Sequence, residues 1–245
     1  MARDSLTRLE KLAGDLERTL GDNLVSLVLY GSAARGDYDP KRSDINLLLV
    51  LRDAGPAALR PVGRLIADWT KAEPPPLIVT EPGWRASADV FAMEIEDMRQ
   101  SHRVLRGADP FADLATSPAD LRDELEREAR GKLAQLRSQF TAVQADGRAL
   151  GRLLETSAGT FFVLFRALLR LRGVTPPYGV EELVAQTAKT VGFDPQAFAW
   201  PLARLAGRPA RRLEPFDETG AGYVKAIELL VECVDGLDRS RATDN

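Results

Sequence analysis

Leu29-Tyr30-Gly31-Ser32-Ala33-Ala34-Arg35-Gly36, followed by Ser43-Asp44-Ile45-Asn46-Leu47-Leu48-Leu49-Val50, is the stretch on which the fold turns. Leu24 to Tyr30 is a short β-branched and apolar run that stops at Gly31. Ile45 to Leu51 is almost continuously apolar, as a strand buried on both faces must be. Two such strands joined by a Gly-Ser turn make a sheet, and the flanks supply its helices. Upstream, Leu6, Leu9, Leu12, Leu16 and Leu20 recur at helical spacing, with Asp4 or Ser5 able to cap and Gly21 as the stop. Downstream, Pro56–Ala72 carries Leu59, Val62, Leu65, Ile66 and Trp69 on one helical face, and the prolines 74–76 forbid its continuation. Leu77–Thr80 reads as a third strand and Asp89–Ile95 as a fourth, which makes a small α/β unit. From about Ser117 the texture changes. Helical patterns follow at 119–144, 148–172, 180–191, 195–206 and 219–237, punctuated by Gly147, Gly173, Gly192 and Gly207. The expected boundary falls between Pro110 and Pro118, giving an α/β unit at 1–115 with a small mixed sheet and an all-α bundle at 116–245.

Composition excludes several classes of function. The 245 residues are 44 % hydrophobic and 28 % charged with a net charge of −3, so the chain is neither disordered nor fibrous. Residues 1–115 hold 15 basic and 18 acidic side chains and the remainder 18 of each, so neither half attracts nucleic acid in bulk. No stretch approaches the roughly 20 apolar residues of a membrane span. The one cysteine, Cys233, excludes an internal disulfide framework, and with no leader-like N-terminus the expectation is a cytoplasmic protein.

The chemistry is concentrated in the opening stretch. A Gly-Ser turn with small neighbours lets backbone N–H groups and the Ser32 hydroxyl approach a phosphate closely. Eleven residues separate Ser32 from Asp44, and Asp44 and Asn46, two apart on a strand, share a face. Hard oxygen ligands beside a phosphate-cradling turn suit a Mg²⁺–nucleotide site. The rest of the polar inventory reads as structure. His102 sits alone in an Arg-rich, helical-looking stretch, Cys233 lies on an apolar stripe, and Phe161, Phe162 and Phe165 repeat at core spacing.

These motifs resemble the nucleotidyltransferase superfamily named after DNA polymerase β, whose signature is Gly-Ser, about ten residues, then Asp-x-Asp on a strand. The G-S-x-A-R-G turn and S-D-I-N-L-L-L-V strand, with Val90–Met98 and His102–Gly107 further on, are similar to bacterial stand-alone members of the aminoglycoside nucleotidyltransferase plan. The resemblance covers about 5–112 and implies a Mg²⁺-dependent transfer of a nucleoside monophosphate from an NTP, expected to be ATP, to a small-molecule or protein hydroxyl. It implies Gly31, Ser32 and Arg35 on the nucleotide, Asp44 and Asn46 on the metal, and a third carboxylate from a later strand. Leu77–Thr80 offers only Thr80, with Glu81 beyond, so Glu94, as ligand or base, or Glu96 on the same strand face, is expected to substitute. The helical half is expected to shape the acceptor pocket, and a homodimer is left open. Asn46 stands where the pattern has a second acid. That departure keeps a second reading open, a fold-retaining module that binds a nucleotide or a partner without catalysis.

Overall fold

In a computed structural model the described residues are 2–35 and 44–237. The chain divides into two compact units, Met1–Thr116 and Ser117–Asn245. Nine elements of the first unit position the site: α1 (Ala2–Leu20), β1 (Leu24–Tyr30), the single turn α2 (Ser32–Arg35), β2 (Asn46–Leu51), α3 (Pro56–Leu59), α4 (Gly63–Trp69), β3 (Leu77–Thr80), α5 (Glu81–Ala86) and α6 (Ala92–Gln100). A fourth strand, β4 (His102–Gly107), completes a sheet of order β3-β2-β1-β4. β1 runs antiparallel to both β2 and β4, whereas β2 and β3 are parallel, so the sheet is mixed.

Both faces of the sheet are buried, which is why β2 reads as an unbroken apolar run. Leu47, Leu49 and Leu51, with Ile45 just before them, pack with Leu27 and Leu29 of β1 against Leu9, Leu12 and Leu16 of α1 and Trp69 of α4. Leu48 and Val50 turn the other way, to Val28, Trp84, Ile95, Met98 and Phe111. The register is pinned by this alternation, because a slip of one residue would exchange the two cores.

Three expectations change. The segment expected as a fourth strand at 89–95 is a turn leading into α6, and Glu94 and Glu96 therefore stand on a helix rather than on one strand face. Met93 and Ile95 imitate a period of two, but the buried set Ala92, Ile95 and Met98 repeats every three residues, and the helical period prevails. His102–Gly107, expected as helical, is instead the edge strand β4. Its ladder with β1 decides the matter, and Arg103 and Arg106 are the charges that edge strands commonly carry. The helix expected at 56–72 is broken into α3, one 3₁₀ turn at Arg60–Val62 and α4, because Pro61 falls inside it.

Every regular element described in the second unit is helical: α7 (Pro118–Val143), α8 (Gly147–Leu171), α9 (Val180–Val191), α10 (Ala199–Leu205), preceded by a 3₁₀ turn at Pro195–Phe198, and α11 (Glu218–Asp235). Ser117, Asp146, Asp194 and Asp217 each cap the helix that follows. The rings of Phe161, Phe162, Phe165, Phe193, Phe198 and Tyr223 pack together as its core. Cys233 is half-buried on α11, 3.6 Å from an Arg172 guanidinium nitrogen.

Candidate nucleotide site

β1 delivers Gly31 into the turn at φ +78, a left-handed conformation that glycine adopts without a Cβ penalty. Its N–H donates to the Ser101 carbonyl at 2.9 Å, and its own carbonyl accepts from Ala34 and Arg35, which closes α2. None of these bonds uses the Ser32 and Ala33 N–H groups or the Ser32 hydroxyl. Arg35 Nη1 donates to Ser101 Oγ at 3.2 Å.

Antiparallel pairing brings the metal-type strand to this turn. Tyr30 lies opposite Asn46 on one side and His102 on the other, so the three residues form a row across adjacent strands. A Cβ on Gly31 would meet Asn46 Nδ2 at 3.5 Å, so the glycine and the amide are neighbours. Directly paired residues face the same way, which places Tyr30 beside Asn46 on the face that also carries Leu48 and Val50. Burial pushes the Tyr30 phenol above its ordinary pKa. Asn46 is half-buried and Asp44, just before the strand, is exposed. Ser32, Arg35, Asp44 and Asn46 thus lie on segments that meet at one end of the sheet. Lys41 and Arg42, cations that the sequence places between Ser32 and Asp44 and that could meet phosphates, lie outside the described residues.

The later carboxylates are placed differently. β2 pairs with β3 as Leu48 with Leu77 and Leu51 with Thr80. Thr80 is therefore opposite a residue five positions beyond Asn46, about 16 Å along the sheet. Its hydroxyl accepts from Gly83 N and caps α5, and Glu81 pairs with Arg85 at 3.5 Å. Glu96 is engaged by the Thr116 hydroxyl at 2.5 Å and Arg99 at 2.9 Å. Glu94 is exposed on α6, seven residues and about 10 Å of helix before Ser101. On a helix, residues two apart do not share a face.

Sequence reading missed Glu73. Its Oε2 accepts the Ile45 N–H at 2.9 Å, so a carboxylate is bonded to the residue between Asp44 and Asn46. The parallel register contains the signal. Glu73 stands four residues before Leu77, the first β3 residue paired with β2, and its carboxylate bonds to the chain just before Asn46.

Among the described residues no group of three or more His, Cys, Asp and Glu side chains is arranged to hold a metal ion. The oxygens of Asp44, Asn46 and Glu73 suit one Mg²⁺ that keeps water and phosphate ligands. They do not suit a two-metal centre, which needs more negative charge than two carboxylates and an amide supply. His102 is held by structure: Nδ1 lies 2.9 Å from the Arg99 carbonyl, Nε2 3.3 Å from Asp109, and the ring 4.5 Å from that of Phe111.

Comparison with known proteins bears on the fold that carries these residues. Residues 9–101 match the family model described as Nucleotidyltransferase domain. The fold is similar to the crystal structure of spectinomycin adenyltransferase from Enterococcus faecialis with ATP and spectinomycin. That match has a TM-score of 0.56 and 11 % identity, and covers 94 % of this chain and 99 % of that one. No curated protein matches the chain in sequence. Among the described residues no helix is long and apolar enough to cross a membrane.

Proposed function

With a nucleotidyltransferase domain of the polymerase β-like superfamily in its first unit, we propose that this chain transfers a nucleoside monophosphate from an NTP to an acceptor hydroxyl. The observation that carries the reading is the closeness of the Gly31 turn to Asn46, 3.5 Å from where a Gly31 Cβ would stand. The Ser32 and Ala33 N–H groups and the Ser32 hydroxyl bind phosphate oxygens, and Arg35 adds positive charge. Asp44 and Asn46 would hold a Mg²⁺ ion, with Glu73 supplying the second negative charge in place of Glu94. Bound there, the ion neutralises charge on the triphosphate and on the departing pyrophosphate. An acceptor oxygen bonds to the α-phosphorus as the α–β bridging bond breaks, the acceptor proton is released, and pyrophosphate leaves.

ATP is the donor we favour, because the similar adenyltransferase was crystallised with ATP. A small molecule is the favoured acceptor, since that protein was crystallised with spectinomycin and this chain has no bulk positive charge to attract a polynucleotide. We assign acceptor recognition to the helical unit and the protein to the cytoplasm.

One observation favours a second reading, a nucleotide-binding module without turnover: Asn46 stands where the pattern has a second acid. Calorimetry with ATP and Mg²⁺, followed by pyrophosphate release across hydroxylated acceptors, separates the two. Turnover abolished by Asp44→Ala establishes the transferase. Mg²⁺-dependent binding that Asp44→Ala removes, with no pyrophosphate from any acceptor, establishes the module. Binding unchanged in Asp44→Ala would overturn both assignments of this strand.

A further inference from the structure

Ser101 ends α6 and precedes β4, and it is 6 % exposed. Its N–H is spent on the Met98 carbonyl, closing the helix. Its other two polar groups both reach the turn at Gly31–Arg35. The carbonyl accepts the Gly31 N–H at 2.9 Å and the hydroxyl accepts from Arg35 Nη1 at 3.2 Å. One buried residue therefore grips the turn at its first and its last position. The corner that carries it is itself fixed, because His102 pairs with Tyr30, packs its ring 4.5 Å from that of Phe111 and approaches the Arg99 carbonyl.

We propose that Ser101 is a positioning residue for phosphate recognition, acting through Arg35. This rests on the nucleotide reading of the Gly31–Arg35 turn. A long arginine side chain on a single-turn helix loses rotamer freedom whenever it binds an anion. Anchoring one of its five N–H donors to a buried hydroxyl fixes the direction of the planar guanidinium before the ligand arrives. The carbonyl bond holds the glycine in the same frame, so the backbone N–H groups and the guanidinium keep one spacing. Ser101 touches no phosphate in this scheme. It sets where Arg35 points.

The test is a double-mutant cycle on the full chain with Mg²⁺ present, using ATP and adenosine as competitors for a fluorescent ATP analogue. Ser101→Ala keeps the carbonyl bond and removes only the hydroxyl. It should weaken ATP roughly three- to tenfold, the range for one hydrogen bond, and leave adenosine unchanged. Arg35→Ala should cost at least as much for ATP, and adding Ser101→Ala to it should cost nothing further, because the hydroxyl acts through that arginine. Ser101→Thr, which retains the hydroxyl, should restore ATP affinity. Equal losses for ATP and adenosine, additive losses in the double variant, or no loss in Ser101→Ala would each overturn the proposal. If Arg35→Ala also leaves ATP unaffected, the phosphate reading of the turn falls with it. If Arg35→Ala weakens ATP and Ser101→Ala does not, that reading stands and only the role of Ser101 is lost.

Discussion

The helical unit and the sheet unit obey local rules to different degrees. In the helical unit, capping residues, glycine stops and apolar period agree, and the interior is filled by interlocking aromatic rings. In the sheet unit the same agreement holds along β1 and β2 until their adjoining ends. There a glycine at φ +78, a half-buried amide on a strand and a carboxylate bonded to the N–H just before that strand occur together. Where every residue serves packing, sequence and structure coincide. Where residues are proposed to serve a ligand, the local rules give way.

The largest effect expected falls in the helical unit. Phe198 is fully buried and its ring meets those of Phe162, Phe165, Phe193 and Tyr223. Phe198→Ala should cost about 3–5 kcal/mol through lost contact and the cavity left behind. A denaturant titration showing less than about 1 kcal/mol would mean that this core collapses readily, and the contrast between the units would weaken.

Next is Asp217, which joins helix start to loop. Its side chain is 5 % exposed, accepts two bonds from Arg211 at 2.6 and 2.7 Å, and caps α11 through Thr219 N. The preceding Phe216 is held at φ +59, so this carboxylate pins a strained turn. The Arg211 guanidinium, then the backbone N–H groups, hold the Asp217 carboxyl far below the usual carboxylate range. A depressed native pKa stabilises the fold above the unfolded value, near 4, and that contribution fades as pH falls toward the native one. Asp217→Asn should cost about 2 kcal/mol at pH 7, the loss of charged hydrogen bonds from a half-exposed arginine. The gap from wild type should narrow as pH drops below about 4. A gap independent of pH would show that the cap, not the charge, matters.

Asn46→Asp probes the site itself. With the Glu73 carboxylate already bonded to the Ile45 N–H, restoring an acid at 46 should tighten Mg²⁺–ATP binding about tenfold, or about 1.4 kcal/mol, and raise pyrophosphate release. No change in either would indicate that Glu73 does not share the ion, leaving too little charge at this end of the sheet for the added acid to complete.

Most of the fold was legible before the structure. The bundle was readable because helix periodicity and stop residues are local, and Val180–Val191 has the bounds its pattern predicts. Of the misread elements, His102–Gly107 was decided by long-range pairing of β4 with β1, which no local window contains, whereas 89–95 was decided by a buried helical period that a period of two imitates. The same holds for the site. Gly31, Ser32, Asp44 and Asn46 are near in sequence and announce themselves through spacing. Glu73 is 28 residues from its partner Ile45 and depends on a parallel register that follows a run of prolines. Ser101 is 66 residues from Arg35. Residues that act by holding other residues leave little trace in a motif.

The smallest effect concerns what secures the sheet unit's outer edge. Arg106 of β4 reaches two carboxylates of α1, Glu17 at 2.9 Å and Glu10 at 3.4 Å, and both acids are more than half exposed. The arrangement looks like a clasp between strand and helix, but exposed ion pairs gain little over hydration and are screened by salt. Beneath it, Leu9, Leu12 and Leu16 of α1 are already buried against β1 and β2. Arg106→Ala should therefore cost only about 0.5 kcal/mol in low salt and less in 0.5 M salt, read as the shift of a urea midpoint at unchanged slope. A loss above about 1.5 kcal/mol that survives high salt would show that the arginine stem packs as part of the core. The edge strand would then depend on side-chain cover as heavily as the helical unit does, and the contrast between the two units would be confined to the residues around Gly31 and Asn46.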